Sequence, residues 1–141
     1  MIQRIQSVWL LLAAICAFFT YTLVLYSGSV ADGSQRMFAL GDYFLLVAYI
    51  IALGVLSLIS IFLFKNRKLQ FRLTVLNIVL TIGYLFLQYV RIEQFKKENA
   101  IVTGSYHVAA LLPILMAIFL IMAARGIYKD EKLVKSLDRL R

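Results

Sequence analysis

The sequence predicts an all-α integral membrane protein, a four-helix transmembrane bundle with a short amphipathic cytoplasmic C-terminal helix. Three observations carry this. Hydrophobic residues make up 62% of the 141 positions, against about 45–50% in globular proteins, more apolar surface than one domain of this length buries. Four stretches, 5–26, 43–64, 73–90 and 107–124, contain no Asp, Glu, Lys or Arg. Each is close to the ~20 residues that cross a hydrocarbon core of about 30 Å as a helix, with its backbone hydrogen bonds satisfied internally. The basic residues collect at the ends of alternate stretches, as membrane topology requires. Residues 1–128 read as the four-span domain and 129–141 as the tail.

The first stretch follows Arg4, and Ser29-Val30-Ala31 offers a small-residue cleavage pattern. Its length exceeds the h-region of about 7–15 residues of a signal peptide, so a retained span is expected. Ile15 before Cys16 does not suit a lipoprotein. Ala13 and Ala17 make a small-xxx-small pair for close helix approach. Asp32-Gly33 marks a turn in the loop that follows, and Asp42 is placed as the N-cap of the second helix. Gly54 and Ser57 put small residues near one face of that helix.

The third stretch carries a polar stripe of Thr74, Asn77, Thr81, Tyr84 and Gln88. At 100° per residue these fall within about 80° of one another. Glu93 and Lys97, spaced i,i+4, extend this helix to about residue 99. The segment 100–106, AIVTGSY, is β-prone and reads as a short strand or hairpin. In the fourth stretch Ala110, Ala117 and Ala124 recur every seven residues, and Pro113 is a potential kink. Gly126 is placed as a break between span and tail. In the tail, Leu133, Leu137 and Leu140 lie within about 60°, opposite Lys132, Lys135 and Arg139. Such a helix fits an anionic lipid surface, a partner helix or a frayed solvated end.

Net charge is +8, and its placement matters more than its size. Arg36, Arg91, Lys96 and Lys97 fall in the first and third loops, leaving eleven of the fifteen basic residues at the N-terminus, the second loop and the tail. The positive-inside rule then puts both termini and the loop with Lys65, Arg67, Lys68 and Arg72 in the cytoplasm. Lipid topology explains this basicity, so no nucleic-acid partner is expected. The lone Cys16 excludes an intramolecular disulfide, a CxxC pair and a cysteine zinc site.

The stripe has two explanations. It faces the bundle interior and hydrogen-bonds neighbouring helices, or it lines a path for a polar ligand or water. No carboxylate, Lys or His joins it within the span, which argues against a proton or ion relay. His107, the single histidine, sits beside Tyr106 at the mouth of the fourth span and reads as an interfacial residue. There is no Ser-His-Asp order, phosphate loop or HExxH, so neither an enzyme nor a cofactor or metal site is expected.

The opening MIQRIQSVWLLLAA, the loop FKNRKLQFRL, Asn77 and the closing KDEKLVKSLDRLR resemble domain-of-unknown-function family 4293. The matching positions are 2–6, 65–69, Arg72, Asn77 and 129–141, with Trp9 where Tyr is the expected residue. The resemblance implies a small four-span protein of the bacterial inner membrane and no known activity or catalytic residue. The expectation is a non-enzymatic scaffold or accessory subunit. It would dock a protein or anionic lipid through Lys65, Arg67, Lys68, Arg72, Lys132, Lys135 and Arg139. The alternative is a small channel, carrier or lipid-binding protein that uses the stripe. A homo-oligomer is open under either.

Overall fold

A computed structural model describes residues 3–138, without the side chains of residues 3, 4, 135, 137 and 138. Four helices dominate: α1 (Gln3–Thr22), α2 (Phe44–Phe62), α3 (Arg67–Glu98) and α4 (Leu112–Asp138). All four are long and apolar enough to cross a membrane. α1 packs on α2 and α4, and α3 packs on the same two, which closes a ring. The short α2–α3 connection makes those helices antiparallel, and pairing of β1 with β3 brings the other two connections to one end. One end of the ring therefore carries the start of α1, the end of α4 and the α2–α3 connection. The other carries the two longer connections.

Those longer connections are not loops, and this corrects the all-α expectation. Strands β1 (Val24–Val30), β2 (Gln35–Ala39) and β3 (Ile101–Tyr106) form an antiparallel sheet in the order β2-β1-β3. The first span is correspondingly shorter than 5–26, because α1 stops at Thr22 and the next residues enter β1. A short apolar run such as Leu23–Tyr26 fits helix and strand equally by periodicity. Pairing on both sides of β1 decides for the strand. The β-prone segment is indeed β3, and it pairs with β1 rather than folding on itself. The β1–β2 turn uses Gly33 at φ 83°, while Asp32 accepts hydrogen bonds from the Ser34 amide and hydroxyl.

The sheet and the turn after β2 pack against the helix ends. Leu25, Tyr26, Phe38 and Leu40 are buried, and Phe38 stacks on Tyr43 at 4.6 Å and meets Phe95 of α3 edge-on at 5.4 Å. The Lys96 ammonium lies 5.0 Å from the Tyr26 ring and 4.9 Å from the Tyr106 ring. It pairs with Glu93 at 2.6 Å. The predicted Glu93–Lys97 pair is thus replaced by an i,i+3 pair, because Lys96 is the lysine that faces the sheet. Glu93 and the Tyr106 hydroxyl hold the Lys96 ammonium above the usual lysine pKa.

Three local expectations change. Asp42 belongs to a 3-10 turn, Leu40–Asp42, and the N-cap position of α2 is Tyr43 without a side-chain cap. Pro113 stands in the first turn of α4, after a 3-10 turn Val108–Leu111, where a missing N–H is tolerated and no mid-helix kink arises. Gly126 does not break the rod, since α4 runs through it to Asp138. Its glycine serves close approach, because a Cβ there would stand 2.9 Å from Gln6 Cγ of α1. The tail is therefore an extension of α4 rather than a separate helix. Leu133 and Val134 are exposed on it, and residues 139–141, including Arg139 and Leu140, lie outside the described residues.

Candidate functional site: an inward polar stripe and a basic end

α3 turns a polar seam inward. Thr74, Asn77, Thr81 and Tyr84 are fully buried, Gln88 is 4% exposed, and Gln70, one step earlier in the same 3-4 alternation, is 3% exposed. The opposite side of the helix carries the exposed Val79, Ile82 and Phe86. A helix that is polar inside and apolar outside inverts the water-soluble pattern, as expected where lipid is the solvent.

Two threonines satisfy themselves within the helix. Thr74 Oγ1 donates to Gln70 O at 2.9 Å and Thr81 Oγ1 to Asn77 O at 2.7 Å. Asn77 reaches across to α2, donating to Ser57 Oγ at 2.8 Å and Leu53 O at 3.3 Å. Gln88 donates to Ala110 O at 3.5 Å, near the start of α4. Tyr84 stands edge-on to Tyr49 of α2 at 5.7 Å, and the Tyr49 hydroxyl donates to Leu80 O at 2.9 Å. The stripe thus hydrogen-bonds to α2 through Asn77 and to the segment before α4 through Gln88. It does not use every atom: Asn77 Oδ1, the Tyr84 hydroxyl and Gln88 Oε1 have no hydrogen-bond partner among the described residues.

Two further buried polar side chains were not singled out from the sequence, Gln70 and Asp130. Gln70 continues its spacing but lies among the basic residues of the α2–α3 connection. Asp130 closes the inward seam of α4, which runs Pro113, Met116, Leu120, Ala123, Ile127 and Asp130. Only 6% of Asp130 is exposed, Gln6 Nε2 of α1 donates to its Oδ2, and its Oδ1 is unpartnered. A carboxylate thus stands at the termini end of the interior, beyond the charge-free span.

The predicted docking residues divide. Lys65, Lys68, Arg72 and Lys132 are exposed and Arg67 is half-buried. The structure brings the start of α3 against the end of α4: Arg67 Nη1 donates to Asp130 O at 3.4 Å, and the Phe71 and Tyr128 rings stand 6.0 Å apart. A groove of about 250 Å³ between them is lined by Phe71, Tyr128, Glu131 and Lys132. Lys135 lies on α4 without a described side chain, and Arg139 is outside the described residues. At the sheet end, His107 is exposed, with Nε2 2.9 Å from Ser27 Oγ.

A family model described as domain of unknown function (DUF4293) matches residues 2–140. The chain belongs to that family. No curated protein and no solved structure matches it.

Proposed function

We propose that this DUF4293 chain is a non-enzymatic protein of the bacterial inner membrane, with both termini cytoplasmic, that docks anionic lipid headgroups on its basic end. The observation that carries this is the contact of Arg67 with the Asp130 carbonyl beside the Phe71–Tyr128 pair. It brings the start of α3, with exposed Lys65, Lys68 and Arg72, to the part of α4 that carries exposed Lys129 and Lys132, which supports reading the two segments as one cationic face. Each such residue near an anionic leaflet contributes about 1 kcal/mol. Arg67 and the aromatic pair hold that face at the level where α3 and α4 leave the apolar bundle.

The test is thermal unfolding of the purified protein in mild detergent, titrated with phosphatidylglycerol or phosphatidylcholine. Phosphatidylglycerol is expected to stabilise selectively, and Lys65→Glu with Lys68→Glu and Arg72→Glu to abolish the selectivity. Equal stabilisation by the two lipids rejects lipid docking. It would leave an acidic protein as the partner to seek by crosslinking in membranes. A second reading, a small channel or carrier working through the stripe, is favoured by the three stripe atoms without protein partners.

A further inference from the structure

Four buried side-chain atoms among the described residues lack a hydrogen-bond partner in the protein: Asn77 Oδ1, Tyr84 Oη, Gln88 Oε1 and Asp130 Oδ1. Three belong to one seam of α3 and the fourth to the inward seam of α4 that packs beside it. Their chemistry is one-sided. Asn77 Nδ2 is committed to Leu53 O, which only accepts, so the amide orientation is settled and its oxygen is what remains. Gln88 Nε2 likewise faces Ala110 O, at 3.5 Å, with Oε1 on the other side. Asp130 keeps one oxygen after accepting from Gln6. Three acceptors are therefore left, with one hydroxyl that can donate as well as accept.

Buried acceptors in an apolar bundle demand donors, and ordered small molecules are the usual source when protein groups do not supply them. An anion is excluded by the sign of the lining. From Asn77 to Gln88 the helix rises by about 16 Å at 1.5 Å per residue. That separation suits a row of small molecules rather than one compact ligand. The row is shut at the sheet end, where the seam passes into Ile92, 1% exposed, and the stack of Phe38, Tyr43 and Phe95. At the termini end of the same interior stand three further buried polar side chains, Gln70, Gln6 and Asp130.

We propose that the inward seam of α3 holds a file of small hydrogen-bond donors, water or an ammonium-class monovalent cation, admitted beside Asp130 and stopped beneath the sheet. This rests on the bundle standing in lipid, so the experiment must separate the two ideas. Hydroxyl-radical footprinting of the full chain in lipid nanodiscs does so, with each rate normalised to the denatured protein. Tyr84 and Met116, fully buried on facing seams, report the interior, whereas Phe86, 71% exposed on the outer side of α3, reports the lipid face.

The expected result is oxidation of Tyr84 and Met116 several-fold faster than of Phe86. If Tyr84 and Met116 are as protected as Phe86, the interior is dry and the file alone is overturned. If Phe86 reacts as in the denatured chain, α3 is not in lipid, and the membrane reading falls with the file. Replacing sodium chloride by ammonium chloride separates the two sources. Reduced Tyr84 oxidation identifies the cation, unchanged oxidation identifies water, and both support the donor assignment.

Discussion

Replacing Asn77 by leucine turns the state of one buried oxygen into the sign of a stability change. The side chain donates twice to α2, to Ser57 Oγ at 2.8 Å and Leu53 O at 3.3 Å, while its own oxygen accepts from no protein group. Interhelical bonds of this kind contribute about 0.6 kcal/mol each in a bilayer, so Asn77→Leu forfeits about 1.2 kcal/mol. A bare buried acceptor costs about 1–3 kcal/mol, and the same substitution removes it. In a dry interior the second term nearly cancels the first or exceeds it, and the variant lies between about 0.2 kcal/mol below the parent and about 1.8 kcal/mol above it. With a donor on Oδ1 there is nothing to relieve, and the expected outcome is a loss of about 1 kcal/mol. Reversible unfolding in mixed micelles titrated with dodecyl sulfate measures the difference. Ser57→Ala, alone and with Asn77→Leu, isolates the cross-helix bond, whose coupling is expected near 0.6 kcal/mol. An Asn77→Leu protein at or above parental stability would refute the hydrated seam, whatever the coupling.

Lys96→Met removes the Glu93 pair and the ammonium between Tyr26 and Tyr106, and is expected to speed amide exchange in β1 and β3 while leaving the helices protected. Unchanged strand protection would show that the lysine is incidental to sheet docking. Gly104→Val drives a Cβ into the Tyr26 hydroxyl and toward Ser27 O, so β3 is expected to detach from β1, seen as loss of strand protection at 101–106. Retained protection would contradict that close approach. The Ser34 hydroxyl and amide hold the Asp32 carboxyl below its ordinary pKa. A depressed carboxyl stabilises the turn above its unfolded value, and this is lost as pH falls through the folded pKa. The Ser34 amide resonance should therefore titrate with a midpoint below that of free aspartate, and a midpoint at or above it would count against the turn.

The stripe was legible because a strict 3-4 alternation of polar residues on an apolar helix has only one geometric meaning, a shared face. Which atoms stay unpaired on that face was not legible, since it depends on where Leu53, Ser57 and Ala110 present their oxygens. Asp130 escaped for another reason. In the sequence it belongs to a charged tail, and only the unbroken course of α4 carries the inward seam down to it. Gly126 shows the same ambiguity, because a glycine between span and tail fits a hinge or a tight contact, and Gln6 decides for contact. The sheet was half visible. The β-prone 101–106 segment announced itself, whereas β1 was hidden in a continuous apolar run whose identity depends on a strand 74 residues away, as Ser29 and Thr103 show.

That distance has a consequence for the birth of the protein. As the chain emerges from its N-terminus, β1 finds β2 almost at once, across a four-residue turn. The other flank of β1 waits until two further helices and β3 have been made, because long-range pairing comes late. During that interval a strand edge stands open, a place where a protease or a neighbouring nascent chain would act first. Arrival of β3 fastens the older helical hairpin to the younger one. Chains arrested before residue 101 should thus be cleared by quality control far faster than chains arrested after 106.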